Sequence, residues 1–110
     1  SRLDEAEYKQ VDIHAGIDST LMILQNRLKP TPDGTGITIV KDYDTLPMVE
    51  CYPGQLNQVF MNLIANSIDA LEEYDSTRSL DEIKANPSTI RISTSRVGNH
   101  SVAVYIADNG

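Results

Sequence analysis

The sequence predicts an α+β fold, a two-layer α/β sandwich in which helices pack on one face of a mixed β-sheet. Three observations support this prediction. Two segments carry apolar residues at helical spacing, and several shorter segments are rich in β-branched residues. The segments follow one another as helix, strand, strand, helix, loop and hairpin, an order that pairs two helices with one sheet.

Composition limits the classes of function. The length of 110 residues suits one domain. The net charge of -7 repels nucleic acid and anionic lipid. A nucleotide remains possible if a divalent metal and backbone N–H groups supply the positive field. The single cysteine, Cys51, permits no internal disulfide and is interpreted as a small core residue in a reducing compartment.

The first part of the chain is predicted to be mainly helical. Residues 3–10 are charged and helix-compatible but too few to form a stable helix alone, so we expect the tail of a helix that begins before Ser1. Residues 11–13 could form a short strand. A full helix is expected from about residue 14 to residue 29, with its apolar positions at Ile17, Leu21, Leu24 and Leu28.

Four segments are predicted to be strands. Residues 37–43 are β-branched and aromatic, and residues 48–52 form a shorter segment of the same kind after Pro47. Residues 89–95 and 101–107 flank Gly98 and Asn99, so they predict a β-hairpin.

The longest helix is expected to begin at Pro53-Gly54 and to run to about Tyr74. Its buried arc is predicted to consist of Leu56, Val59, Phe60, Leu63, Ile64, Ser67, Ala70 and Leu71. The polar residues 75–87 then predict a mobile loop with at most one helical turn, which a capping box at Ser79 and Glu82 would start.

This longest helix also carries a polar stripe. Its members are Asn62, Asn66, Asp69 and Glu73, which lie within roughly 60° of one another on a helical wheel. Asparagine is a poor residue for the middle of a helix, and an amide oxygen is a suitable ligand for Mg²⁺. Either a ligand site or a solvated helix face would explain the stripe.

Two motifs in the chain resemble those of a known family. Residues 58–71, QVFMNLIANSIDAL, resemble the N-box Q-V-x-x-N-L-x-x-N-A-x-x-A of the histidine-kinase catalytic domain. Asp108-Asn109-Gly110 follows a predicted strand and resembles the start of that family's first glycine box, D-x-G-x-G. The chain is thus similar to the ATP-binding catalytic domain of sensor histidine kinases, in the GHKL or Bergerat-fold superfamily, truncated within the first glycine box.

The resemblance implies ATP and Mg²⁺ as cofactors and assigns roles to particular residues. Asn66 would hold the Mg²⁺ that bridges the phosphates, with Asn62 as its partner one turn earlier. Asp108 would accept a hydrogen bond from the adenine amino group, and Gly110 would let the backbone approach the base. Asp69 belongs to the same ATP-binding set, although many family members carry a basic residue at its position.

The resemblance also implies a domain organisation and partners. Residues 1–10 would end a helical dimerisation domain, and residues 11–110 would form the N-terminal part of the catalytic domain. The partners would be ATP, the protein's own dimerisation and histidine-phosphotransfer domain, and a response regulator, in a homodimeric full-length kinase. The lone cysteine makes the cytoplasm the expected compartment, and a membrane-anchored protein of which this chain is the cytoplasmic part stays an alternative. No catalytic residue is expected in this fragment, because neither His14 nor His100 has the acidic neighbour of a phosphorylated histidine.

Two alternatives stay open. Residues 66–70, NSIDA, also resemble the motif E-x-x-x-N-S-x-D-A of chaperone, topoisomerase and mismatch-repair ATPases. Those ATPases have a glutamate one turn before the asparagine, whereas this chain has Asn62, and an amide cannot accept a proton from attacking water. A degenerate module that only mediates protein contacts is the second alternative.

Overall fold

The computed structural model describes residues 7–32 and 34–110, and these contain five strands and four helices. The strands are β1 (Lys9–Val11), β2 (Ile37–Asp42), β3 (Val49–Cys51), β4 (Ser88–Val97) and β5 (Ser101–Asp108). The helices are α1 (Ile13–Ile23), α2 (Gln25–Leu28), α3 (Pro53–Asp75) and α4 (Leu80–Ala85).

The strands form two sheets. The larger sheet has the order β2-β4-β5, with β2 parallel to β4 and β4 antiparallel to β5, so the prediction of a mixed sheet is confirmed. The smaller sheet pairs β1 with β3 in antiparallel orientation. The predicted hairpin is also present, because β4 and β5 pair from Ile90 opposite Asp108 to Val97 opposite Ser101.

Helices α1 and α3 pack against each other and on one face of the larger sheet, which makes an α+β arrangement of two layers. The core between the layers is a cluster of buried side chains: Ile13, Ile17, Leu21, Phe60, Ile64, Ile68, Leu71, Ile90 and Ile92. Gly16 allows the two helices to approach closely, since a Cβ atom there would lie 2.6 Å from Asn57 Oδ1.

The beginning of the chain differs from its prediction. Lys9 and Gln10 belong to β1 and not to a helix, because they pair with Cys51 and Glu50 of β3. Residues 1–6 of the predicted helical tail lie outside the described residues. Asp12 is the N-cap of α1 and not a strand residue, since its carboxylate accepts hydrogen bonds from the N–H groups of His14 and Ala15 at 3.0 and 3.4 Å.

The two predicted helical segments need further corrections. The single helix expected for residues 14–29 is divided at Leu24, so that α1 and α2 are separate. In α3 the buried residues are Pro53, Phe60, Ile64, Ile68 and Leu71. Val59 and Leu63, which were predicted to be buried, are 49% and 47% exposed, and Ala70, also predicted to be buried, is exposed as well. Ile68, which the prediction left out of the buried arc, has no exposed surface.

Within residues 7–32 and 34–110, no helix combines the length and the apolar character that crossing a membrane requires.

Candidate functional site

An open cleft of about 470 Å³ lies between α3 and β5. Its walls are formed by Leu63, Asn66 and Ser67 of α3 and by Val104, Tyr105, Ile106 and Asp108 of β5. We refer to this space as the α3–β5 cleft. It therefore brings together Asn66 and Asp108, one residue from each of the two motifs found in the sequence.

The local sequence explains why both residues reach the cleft. Asn66 lies outside the buried side of α3 and is exposed, while its neighbour Ser67 is half-buried toward β5. Asp108 is the last residue of β5, where pairing with Ile90 of β4 ends. The carboxylate of Asp108 accepts a hydrogen bond from the Gly110 N–H at 3.2 Å, so Gly110 is folded back toward it.

The other predicted site residues do not form part of the cleft wall. Asn62 is not a wall residue of the α3–β5 cleft, and its Oδ1 accepts a hydrogen bond from Gln58 Nε2 at 3.1 Å. Gly110 packs beside Leu71, because a Cβ atom at Gly110 would lie 3.0 Å from Leu71 Cδ2. The predicted polar stripe is thus divided, and only Asn66 faces the same space as Asp108.

Asp69 is engaged by an arginine. One guanidinium nitrogen of Arg27 lies 2.6 Å from Asp69 Oδ1 and 2.7 Å from Glu72 Oε1. Hydrogen bonds with Asp69, and then with Glu72, raise the pKa of Arg27 above its usual range. Asp69 therefore fastens α2 to α3, and a ligand that used Asp69 would have to displace Arg27.

The electrostatics of the α3–β5 cleft restrict what it can bind. Its described wall has one carboxylate, on Asp108, and no lysine or arginine. A polyphosphate entering the cleft would need a bound cation, since the wall supplies no positive side chain. No cluster of three or more His, Cys, Asp and Glu side chains suited to a metal occurs in the described part of the chain.

The residues present fit Mg²⁺ bound together with a nucleotide better than Mg²⁺ bound alone. Mg²⁺ usually keeps several waters and takes one or two protein oxygens together with substrate phosphates. The amide of Asn66 forms no hydrogen bond to another described residue, so its oxygen is available for that role. The amide oxygen of Asn66 would supply one protein ligand to such a sphere, with phosphate oxygens and waters as the others.

The sequence did not reveal two features of this site. Tyr105 is 62% exposed and forms part of the wall of the α3–β5 cleft, but it belongs to neither of the two sequence motifs. Asn109, the middle residue of the second motif, hydrogen-bonds to the chain segment that enters β4. The predicted hairpin brings Asn109 near the start of β4, but only the observed register shows that its side chain bonds to Thr89 and Pro87.

A smaller cavity of about 260 Å³ lies beside Arg27, Thr35, Glu72 and Ile83, and none of the predicted site residues forms part of its wall. Comparisons of the chain with protein-family models, with curated proteins and with solved structures gave no match.

Proposed function

We propose that this chain is the ATP-binding part of a two-component sensor histidine kinase and presents Mg-ATP for phosphoryl transfer to a histidine outside the chain. The observation that carries the proposal is the position of Asn66 and Asp108 on opposite walls of the α3–β5 cleft. The two residues come from separate motifs far apart in the sequence. A ligand that spans the cleft can contact both.

The two side chains offer complementary chemistry to such a ligand. The ionised carboxylate of Asp108 accepts hydrogen bonds only, which suits the exocyclic amino group of adenine. The amide oxygen of Asn66 is a neutral ligand for a Mg²⁺ ion that bridges phosphates. Mg²⁺ would also supply the positive charge that the described wall lacks.

The fold is compatible with this proposal. A Bergerat ATP-binding fold has helices on one face of a mixed sheet, and the observed arrangement has that general form. In the proposed assignment α3 is the N-box helix and β5 leads into the first glycine box. Residues 1–10 would then connect to a helical dimerisation domain, and the partners would be that domain and a response regulator.

An ATPase of the chaperone or topoisomerase kind is the second candidate, because residues 66–70 also suit its motif. Asn62 argues against it. Its amide is bonded to Gln58 and cannot accept a proton from water, so hydrolysis has no general base at that position. The two candidates can be separated by replacing the acceptor histidine in the full-length protein and measuring the release of phosphate from ATP. Steady phosphate release would continue in an ATPase and would stop in a kinase.

The direct test is Mg-ATP binding by the full-length protein carrying Asn66→Asp or Asp108→Asn. Each substitution should weaken binding by at least about tenfold. Asn66→Asp places a negative charge beside the phosphates, in a cleft whose described wall has no lysine or arginine, and Asp108→Asn replaces the ionised acceptor for the adenine amino group by a neutral amide. Binding would be measured by isothermal titration calorimetry, with thermal unfolding as the check on folding. Asn99→Asp, in the exposed hairpin turn, is the matched control. Unchanged affinity in both site variants would contradict the proposal.

A further inference from the structure

Asn109 ties the end of β5 to the beginning of β4. Its Oδ1 accepts a hydrogen bond from the Thr89 N–H at 2.8 Å, and its Nδ2 donates one to the Pro87 carbonyl at 3.1 Å. Its backbone N–H donates to the Thr89 carbonyl at 3.2 Å. Three hydrogen bonds thus fix the residue between Asp108 and Gly110.

The segment to which Asn109 hydrogen-bonds, at the start of β4, is itself held in place by other hydrogen bonds. Ser88 is fully buried, and its hydroxyl donates to Asp75 Oδ2 at 2.7 Å. The guanidinium of Arg78 donates to Asp75 Oδ1 at 2.7 Å and to the Asn86 carbonyl at 2.9 Å. Asn109 therefore binds to a part of the chain whose position is set from the other side by Asp75 and Arg78.

We infer that Asn109 is a positioning residue, which fixes the direction of the Asp108 carboxylate in the α3–β5 cleft and thereby sets the selectivity for an adenine base. This inference rests on the proposed function. Asp108 is the last residue of β5, and beyond it one backbone hydrogen bond, from the Asn109 N–H to the Thr89 carbonyl, continues toward β4. The side chain of Asn109 adds the two bonds that Asn109→Ala would remove, and the Gly110 N–H then fixes the Asp108 carboxylate through its 3.2 Å bond.

A carboxylate in a fixed direction can select one base. A site that holds a buried or oriented acceptor rejects a ligand that lacks the matching donor, because the acceptor then stays unpaired. Adenine presents an amino group to Asp108, whereas hypoxanthine presents a carbonyl oxygen at the same position. Loss of the Asn109 bonds should lower this selectivity more than it lowers the affinity for the phosphates.

The test compares Mg-ATP with Mg-ITP, the inosine triphosphate, on the full-length protein by isothermal titration calorimetry. The wild-type protein should prefer ATP, and Asn109→Ala should reduce the ratio of the two affinities by about tenfold, the equivalent of one hydrogen bond. Asn109→Asp keeps an acceptor for the Thr89 N–H and should retain part of the preference. Asn99→Ala in the hairpin turn should leave the ratio unchanged.

If Asn109 had a merely structural role, Asn109→Ala would lower the affinities for ATP and ITP in parallel and leave the ratio of the two affinities unchanged. That result would overturn the inference. Amide hydrogen exchange gives a second readout that needs no nucleotide. In Asn109→Ala the Thr89 N–H loses its acceptor, so its protection should fall at least about tenfold while that of the core strand residue Ile92 is retained.

These two measurements separate the inference from the proposed function. A wild-type protein that binds neither nucleotide would overturn the proposed function, whatever Asn109 does. Unchanged protection of the Thr89 amide in Asn109→Ala would overturn the role of Asn109 even if the wild-type protein binds ATP.

Discussion

Arg78 joins three segments of the chain through one guanidinium group. It donates hydrogen bonds to Asp75 at the end of α3 and to Ser88 at the start of β4. It also donates to the carbonyls of Glu82 in α4 and of Asn86, the C-cap of that helix. Its side chain is only 7% exposed, and it also lies over the Tyr74 ring at 4.7 Å. Arg27 makes equally short contacts with carboxylates, but its side chain is 38% exposed.

The difference in burial predicts a difference in stability. Arg78→Ala should lower the free energy of unfolding by about 3 kcal/mol, because it removes the only cation that the described part of the chain places beside the largely buried Asp75 carboxylate and leaves it the Ser88 hydroxyl alone. Arg27→Ala, at the exposed ion pair, should cost less than about 1 kcal/mol. Urea denaturation followed by circular dichroism would measure both values. Equal losses in the two variants would show that burial does not decide the strength of these ion pairs.

At the scale of elements, α4 is the segment that departs most from its prediction. Residues 75–87 were predicted to be a mobile loop, but six of them form a helix with a complete capping box. Ser79 Oγ accepts from the Glu82 N–H at 3.1 Å, and Glu82 Oε1 accepts from the Ser79 N–H at 2.9 Å. Ile83 is buried, so the helix also has an apolar anchor. The predicted capping box is confirmed, and the expectation of at most one helical turn is wrong.

Removing the cap should weaken this element. Ser79→Ala should lower the free energy of unfolding by about 1 kcal/mol at neutral pH, the usual cost of losing an N-cap. Lys84→Gln, exposed in the same helix, is the control and should cost a few tenths of a kcal/mol. Chemical denaturation of the three proteins gives the comparison, and equal stability of Ser79→Ala and the wild type would contradict the role of the cap.

The same cap predicts a dependence on pH. The hydrogen bond from the Ser79 backbone N–H lowers the pKa of Glu82 below its ordinary value of 4.5. A lowered folded-state pKa means that the stabilisation by Glu82 is present above pH 4.5 and is lost as the pH falls through the lower folded-state value. The difference in free energy of unfolding between Glu82→Ala and the wild type should therefore be smaller in acid than at neutral pH, and urea denaturation at the two pH values would measure it.

At the scale of the whole molecule, one apolar cluster joins both main helices and the larger sheet. Ile64 has no exposed surface and lies within this cluster, whereas Val59, on the same helix, is 49% exposed. The Cα positions extend over 46 × 31 × 15 Å, so the molecule is flat. Its main apolar interior is the cluster between the helices and the sheet. Loss of packing at Ile64 should thus affect the entire fold.

Ile64→Ala should lower the free energy of unfolding by about 2–5 kcal/mol, since it removes a fully buried side chain and leaves a cavity. Val59→Ala should cost less than about 1 kcal/mol, as is usual for exposed positions. Thermal unfolding of both variants should remain a single transition when followed by circular dichroism and by tyrosine fluorescence. Separate transitions by the two probes would mean that the helices and the sheet do not share one core.

Local sequence patterns predicted the type and order of most elements, because periodicity, turn residues and caps act over a few neighbouring residues. They predicted α3, β2, β3, the hairpin and the capping box, while the resemblance to the N-box and the first glycine box selected Asn66 and Asp108 as candidates. Tertiary structure alone decided which α3 residues are buried, and it made Lys9 and Gln10 part of a strand through pairing with β3. It also joined Asp69 to Arg27, because this contact links residues distant in sequence and no local pattern encodes it. The hairpin brought Asn109 near the start of β4, and the register of the pairing then gave its side chain the partners Thr89 and Pro87.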